Sequence, residues 1–260
     1  MSEMVIRELS DGILRLTLND PATRNSLSEL MIKELHAAIK DTEARVIILA
    51  AQGPAFSSGH NLKEITAHRS DADGGSAYFK NLFDNCAELM LSILNHPCPV
   101  IAEIDGLASA AGCQLVASCD LAIATDQSTF CTPGVNIGLF CSTPMVALSR
   151  SVQHKHAMEM LLTGDIISAV EAMRIGLINR VTSHNELKAV TEELAQKIAS
   201  KSGAAIRIGK RAFNAQAEMP VTEAYAFMGQ IMADNLLVPD AGEGIEAFIQ
   251  KRKPKWEQDL

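Results

Sequence analysis

No apolar run in this chain approaches the ~20 residues of a membrane-spanning helix, so no membrane role is expected. The six Cys, at 86, 98, 113, 119, 131 and 141, form no CxxC pair and have no His at metal-ligand spacing. That excludes the common zinc and thioredoxin-like patterns, and no metal is expected. Most of these Cys lie inside apolar runs, which points to core thiols in a reducing compartment rather than a disulfide framework. A basic excess is also missing: 31 acidic against 23 basic residues give a net charge of −8. That argues against a nucleic-acid surface while leaving room for a local basic patch facing a phosphorylated ligand. The opening MSEMVIRELSDG has neither a signal h-region nor an Arg/Ser-rich transit pattern, so a cytoplasmic protein is expected.

What is present is ordinary soluble-globular composition, 47% hydrophobic and 21% charged over 260 residues. A chain of this length forms one large domain, or one domain with an appendage. Asp11-Gly12 between Met4–Glu8 and Ile13–Leu18 predicts a hairpin. Ser26 and Glu29 fit a capping box ahead of a helix carrying Leu27, Leu30, Met31, Leu35 and Ala38. Strands are expected at Val46–Ala50, Val100–Ile104, Leu121–Ala124, Ser128–Cys131 and Leu177–Val181. A helix between them is expected to bury Phe79, Leu82, Phe83, Cys86, Met90, Ile93 and Leu94. The polar loop Arg69–Gly75 is the candidate mobile segment. Alternating strands and helices argue for an α/β layered unit. From His184 onward only helices are expected, one of which, YAFMGQIMADNLL, is apolar on more than one face.

Two stretches carry the chemistry. GLASAAGCQLVASCD, from Gly106 to Asp120, follows a strand with small residues and opens a helix, leaving early N–H groups without intrahelical partners. FSSGHNLKEI, from Phe56 to Ile65, is likewise a strand, a Gly turn and a helix start. Two such ends can converge on one oxygen, such as a thioester carbonyl becoming an enolate. The plain alternative is a pair of tightly packed glycine turns with no further role.

Together, FSSGHNLKEI and IDGLASAAGCQLVASCDLAIA resemble the two oxyanion-hole segments of the enoyl-CoA hydratase/isomerase (crotonase) superfamily, and the resemblance runs to the AFIQKRKPKW tail. It implies a ββα spiral with a C-terminal all-helical trimerisation region, divided as residues 1–195 for the core and acyl-CoA site and 196–260 for the tail. It implies a coenzyme A thioester as substrate, no permanently bound cofactor, a homotrimer or hexamer, and a place in fatty-acid or related acyl-CoA metabolism. Carried over residue by residue, the oxyanion donors are the backbone N–H groups of His60 and Ala111. The His60 imidazole is expected to face solvent or adenine. Arg24 matches a basic position near the coenzyme A phosphates, and Asn61, Leu62 and Lys63 the stretch lining adenine and pantetheine. Asn61 stands where the family usually has Asp. Phe248 and Lys251 match tail residues that close over the nucleotide, often from a neighbouring subunit.

The sequence departs from the family at the acid/base pair, where the hydratases' two glutamates are replaced by Gln114 and Gly134. An amide has no titratable proton near neutrality and Gly has no side chain, so ordinary 2-enoyl-CoA hydration is not expected, and isomerisation is weakened. Cys113, Cys131, Asn136, Cys141 and Ser142 remain nearby, read as small residues of a pocket wall. Two readings follow: an acyl-CoA enzyme with an atypical site, such as a thioesterase or decarboxylase, or a non-catalytic acyl-CoA-binding or assembly protein.

Overall fold

The computed structural model describes residues 3–40 and 43–257. Its first two strands, β1 (Val5–Ser10) and β2 (Ile13–Leu18), form the expected antiparallel hairpin around Asp11-Gly12. Leu14, Leu16 and Leu18 face the core, as their period-two spacing requires. Helix α1 (Glu29–Lys40) follows, but its cap is Ser28, whose Oγ accepts the Met31 N–H at 3.1 Å. The expected cap, Ser26, instead donates its hydroxyl to Thr23 Oγ1.

From here the chain repeats one move. β3 (Val46–Ala51), β5 (Val100–Ile104) and β7 (Leu121–Thr125) each enter one large sheet, and the short strands after them, β4 (Ala55–Ser57), β6 (Leu107–Ser109) and β8 (Thr129–Cys131), enter a second sheet. Between the repeats lie α2 (Leu62–His68), α3 (Ser76–Leu94) and α4 (Ala111–Ser118). After β8 come α5 (Pro144–Ser151), α6 (His154–Thr163), β9 (Ile167–Ser168), α7 (Ala169–Arg174) and β10 (Arg180–Thr182). The large sheet runs β1-β2-β3-β5-β7-β10, parallel after its hairpin, and the small one β4-β6-β8-β9. This is the spiral of ββα turns that the resemblance implies. Each turn stacks a strand end of the small sheet beside the next, so the helix starts after β4 and β6 become neighbours.

Residues 46–50 of β3 are buried on both faces, as expected of a strand sandwiched between helical layers. α3 presents Leu82, Cys86, Leu89, Met90 and Ile93 inward, whereas Phe83 and Leu94 stay exposed, a narrower stripe than the sequence predicts. The Arg69–Gly75 loop is braced by the Asp73 carboxylate, which accepts the Gly75 and Ala77 N–H groups. The last strand starts three residues later than expected, because Leu177 and Ile178 are taken up as buried contacts behind α7.

The tail is helical: α8 (Leu187–Ala199), α9 (Gly203–Gln216), α10 (Val221–Leu236) and α11 (Pro239–Ile249). α8 covers the large sheet, where Ala195 packs with Val46, Ile48 and Ile101, so the expected division at 195 falls inside this helix. No helix among the described residues is long and apolar enough to cross a membrane. α10 has no buried residue in this chain; Tyr225 is 79% and Leu237, just past its end, 85% exposed.

Candidate active site

The two expected helix starts meet. β4 pairs in parallel with β6, which sets the Gly59 turn against the Ala110 turn. Gly59 has φ +87°, a conformation that L side chains adopt only at a cost. A Cβ there would stand 3.0 Å from both Ala110 Cβ and Ser109 O, and 3.3 Å from Ala111 N. Gly112 is required for a different reason, since its Cβ would come within 2.3 Å of Ser57 O. The first turn of α4 therefore lies directly on the end of β4.

Hydrogen bonds fix this junction from both sides. The Leu27 N–H donates to Gly59 O at 2.8 Å, and the Ser58 N–H to Arg24 O at 3.0 Å. Ser57 Oγ donates to Asn25 O at 2.8 Å. On the other side Ala110 N–H donates to Cys131 O at 2.9 Å, which holds the turn to β8. Ala110 has φ 50° and ψ −115°, a strained setting for a residue with a Cβ. Among the hydrogen bonds of the described residues, neither the His60 nor the Ala111 N–H is used as a donor. The junction thus presents two backbone donors on adjacent turns.

His60 differs from its expectation. Its imidazole is partly buried with Nδ1 3.2 Å from Leu27 O, its ring edge-on to Phe83 at 5.3 Å, and Nε2 enclosed without a partner. Burial holds its pKa below the ordinary 6.5, so it stays neutral. The ring helps to pin the donor-bearing backbone rather than facing open solvent.

Gln114 lies three residues beyond Ala111, on the same side of α4, and is 5% exposed with Oε1 lacking a partner. Gly134 is buried in a 3-10 turn (Pro133–Ile137); a Cβ on it would be 3.0 Å from Cys141 Sγ and from Leu139 O. A side chain at 134 would therefore press on the segment from Leu139 to Cys141. Cys113, Cys131 and Cys141 are buried, and burial raises all three thiols above their ordinary value, Cys113 the most. They are therefore thiols rather than thiolates at neutral pH, suited to a pocket wall and not to attack. Asn136 and Ser142 are exposed, and Ser142 Oγ donates to Phe140 O.

The expected coenzyme A residues divide into two groups. Arg24 is exposed, and its carbonyl holds the strand leading into Gly59, so it borders the junction. Leu62, 53% exposed, and Lys63 begin α2 directly after His60. Asn61 is already engaged: its Oδ1 caps α2 by accepting the Lys63 N–H, and its Nδ2 donates to Glu64 Oε1. Phe248, 84% exposed, and Lys251 stand on α11 and its C-terminal turn, which packs against α9 and α10. The sequence reading missed Thr132, fully buried with an unpartnered hydroxyl, and the anchoring carbonyl of Leu27. The Leu27 carbonyl has no local sequence signal, because it acts on a residue 33 positions later. No group of three or more His, Cys, Asp or Glu among the described residues could hold a metal ion.

The enoyl-CoA hydratase/isomerase family model matches residues 8–259. Enoyl-CoA hydratase domain-containing protein 3, mitochondrial, of Mus musculus is 51% identical over 250 residues, covering 95% of this chain and 82% of that protein. The crystal structure of an enoyl-CoA hydratase of Mycobacterium smegmatis superposes with a TM-score of 0.93 at 44% identity, covering 98% of this chain and 99% of that one. The human enoyl Coenzyme A hydratase domain-containing protein 3 gives 0.92 at 47% identity, covering 97% and 100%. The fold is therefore crotonase-like. The expected cytoplasmic location is overturned, since the mouse, rat and human relatives are named mitochondrial. That expectation rested on an absent leader pattern, and an absence at the chain start carries no address. The chain belongs to the enoyl-CoA hydratase/isomerase family.

Proposed function

We propose that this protein binds an acyl-CoA thioester with its carbonyl oxygen between the His60 and Ala111 N–H groups. The observation that carries the reading is the contact of the Gly59 turn with Ala110 and Ala111, which leaves both donors unused on adjacent turns. A donor held in place for a developing oxyanion is worth roughly 10²–10³ in rate, and it keeps that value whatever side chain follows. Arg24, Leu62 and Lys63 border the nucleotide end. Phe248 and Lys251 reach it from a neighbouring subunit of a trimer or hexamer, with the core to residue 195 carrying the site and the tail from 196 the assembly surface.

Ordinary hydration is not the proposed reaction. Adding water needs a base for the water and an acid for the α-carbon, and neither Gln114 nor Gly134 can carry a proton. Chemistry that relies mainly on the oxyanion donors, such as thioester hydrolysis or decarboxylation, makes fewer demands on those positions. A non-catalytic acyl-CoA-binding role is the second reading, favoured by the raised thiols and the filled space beside Gly134. Calorimetric titration with butyryl-CoA, followed by assay of the thioester band, tests both. Binding with thioester loss supports the enzyme, binding alone supports the second reading, and no binding overturns both. Turnover of crotonyl-CoA at ordinary hydratase rates would overturn the role given to Gln114 and Gly134.

A further inference from the structure

We propose that Asn25 is a positioning residue for the His60 amide, an inference that rests on the acyl-CoA reading above. Arg24 and Asn25 stand side by side at φ 59° and 51°, in the left-handed region that residues with a Cβ seldom enter. They follow a short 3-10 turn, Pro21–Thr23. A chain holds such a conformation where its surroundings over-determine it. Here they do, for Asn25 is 0% exposed and each of its polar groups has a partner. Its backbone N–H donates to Asp20 O at 2.8 Å, and its Oδ1 accepts the Asp20 N–H at 2.9 Å. Its Nδ2 donates to Gln52 O and to Ala55 O, both at 2.8 Å, which ties the turn to the corner between β3 and β4. Its own carbonyl accepts the Ser57 hydroxyl at 2.8 Å.

The turn lies along the segment that ends in His60. Ser58 Oγ donates to Thr23 O at 3.2 Å, and the Ser58 N–H to Arg24 O at 3.0 Å. Ser57 Oγ, which Asn25 O holds, accepts the Gly59 N–H at 3.3 Å. Two residues past Asn25, Leu27 forms an isolated parallel bridge with His60, and its N–H donates to Gly59 O at 2.8 Å. The Gly59 carbonyl and the His60 N–H are the two ends of one planar, trans peptide unit. A grip on the oxygen therefore aims the N–H to the opposite side. Where that grip sits is decided by the Arg24-Asn25 turn, and the turn is held by the Asn25 side chain. Misplacing a group at a reacting centre by about 1 Å can cost about 10²-fold in rate. Asn25 thus acts on the thioester carbonyl through the His60 peptide, without touching it.

The test is infrared difference spectroscopy on the whole chain, with butyryl-CoA labelled with carbon-13 at its thioester carbonyl, beside calorimetric titration. The wild type is expected to draw the carbonyl band below its position in the free ligand. Asn25→Gly keeps a left-handed turn accessible and removes the side-chain bonds to Asp20, Gln52 and Ala55. It is expected to return the band toward the free position and to weaken binding about 10-fold. Lys210→Met, destabilised where α9 meets the end of α3, is the control and is expected to keep the wild-type band. Thermal melts identify any variant that fails to fold. Ser57→Ala, which breaks the link from Asn25 O to the Gly59 N–H, is then read in place of Asn25→Gly. A band unmoved by the substitution overturns the positioning role and leaves the acyl-CoA reading standing. A band that moves as far in Lys210→Met also overturns it, because general destabilisation then accounts for the effect. A wild type that does not bind butyryl-CoA, or binds it with the band unshifted, overturns the placement of the carbonyl between His60 and Ala111 itself.

Discussion

A Cβ on Gly59 would lie 3.3 Å from the amide nitrogen of Ala111, so the two turns of the candidate site are in contact. The spacing leaves no room to change either turn without moving the other. Gly59→Ala adds that atom and also forces an L residue to φ +87°, a conformation costing roughly 1–2 kcal/mol. The expected result is a melting temperature lower by about 2–8 °C and loss of butyryl-CoA binding by at least 10-fold. Ala110→Gly removes the nearest Cβ, 3.0 Å from the new one, and is expected to restore part of the melting temperature. Differential scanning calorimetry of the two single variants and the double variant checks the order.

The glutamate positions behave unequally. Gln114→Glu changes one atom type in an existing side chain, whereas a side chain at 134 meets Cys141 Sγ and Leu139 O at 3.0 Å. Overpacking of this kind costs about 1–3 kcal/mol. We expect Gln114→Glu/Gly134→Glu to melt lower than wild type and to hydrate crotonyl-CoA no faster. Adding Cys141→Gly removes the thiol contact but leaves the Leu139 carbonyl and the Cys141 backbone nitrogen in place, and that triple variant is expected to melt between the double variant and wild type. Hydration by Gln114→Glu alone would show that position 134 does not limit the reaction.

The α/β layering was legible in the alternation of strands and helices, whereas the spiral of ββα turns and the His60 and Ala111 positions came from the resemblance. Ser28 rather than Ser26 as the cap of α1 was not legible, since Ser26 is drawn away by Thr23 Oγ1 in the preceding turn. Phe83 stays at the surface with its ring beside His60, a contact with a residue 23 positions earlier that its own helix does not signal. Location was misread because composition at a chain start holds no structural consequence against which to check it.

Stability should fall on mild acidification, with the sign set by buried imidazoles. Burial lowers the pKa of His36, His60 and His96 below 6.5 in the folded chain. The unfolded chain takes up these protons near 6.5 and the folded chain does not, so stability is complete above that value. It declines as pH falls through 6.5 toward each folded value. Melts from pH 7.5 to 5.5 should show this decline, and His60→Ala should make it shallower. A wild-type melting temperature that is flat over this range would contradict the buried, neutral assignment.

The tail should govern assembly. Tyr225, Met232, Leu237 and Phe248 are 79%, 59%, 85% and 84% exposed on the single chain, an apolar surface larger than an isolated helix tolerates. Sedimentation velocity is expected to give a trimer or hexamer for the wild type. Tyr225→Glu/Leu237→Asp is expected to shift the population to monomer and to weaken butyryl-CoA binding, because Phe248 and Lys251 then no longer reach a neighbour's site. A monomeric wild type that binds the ligand fully would remove the shared-site arrangement.

The tail is also tied to the core by one side chain. Lys210 Nζ donates to Ile93 O and Cys98 O, both at 3.1 Å, and to Asp120 Oδ2 at 2.6 Å. Asp120 in turn accepts the Val100 N–H at 2.7 Å, so α9, the end of α3 and the start of β5 converge on one ion pair. Burial raises the Asp120 pKa, and the Lys210 charge opposes that rise. Lys210→Met leaves the carboxylate enclosed without its cation, a change that costs about 3–5 kcal/mol where a pair is fully buried. Asp120 keeps 25% of its side chain exposed, so the expected loss lies at the low end of that range. Asp120→Asn/Lys210→Met removes both charges and is expected to recover part of the loss in a double-mutant cycle. Additive losses would mean that the two groups act independently.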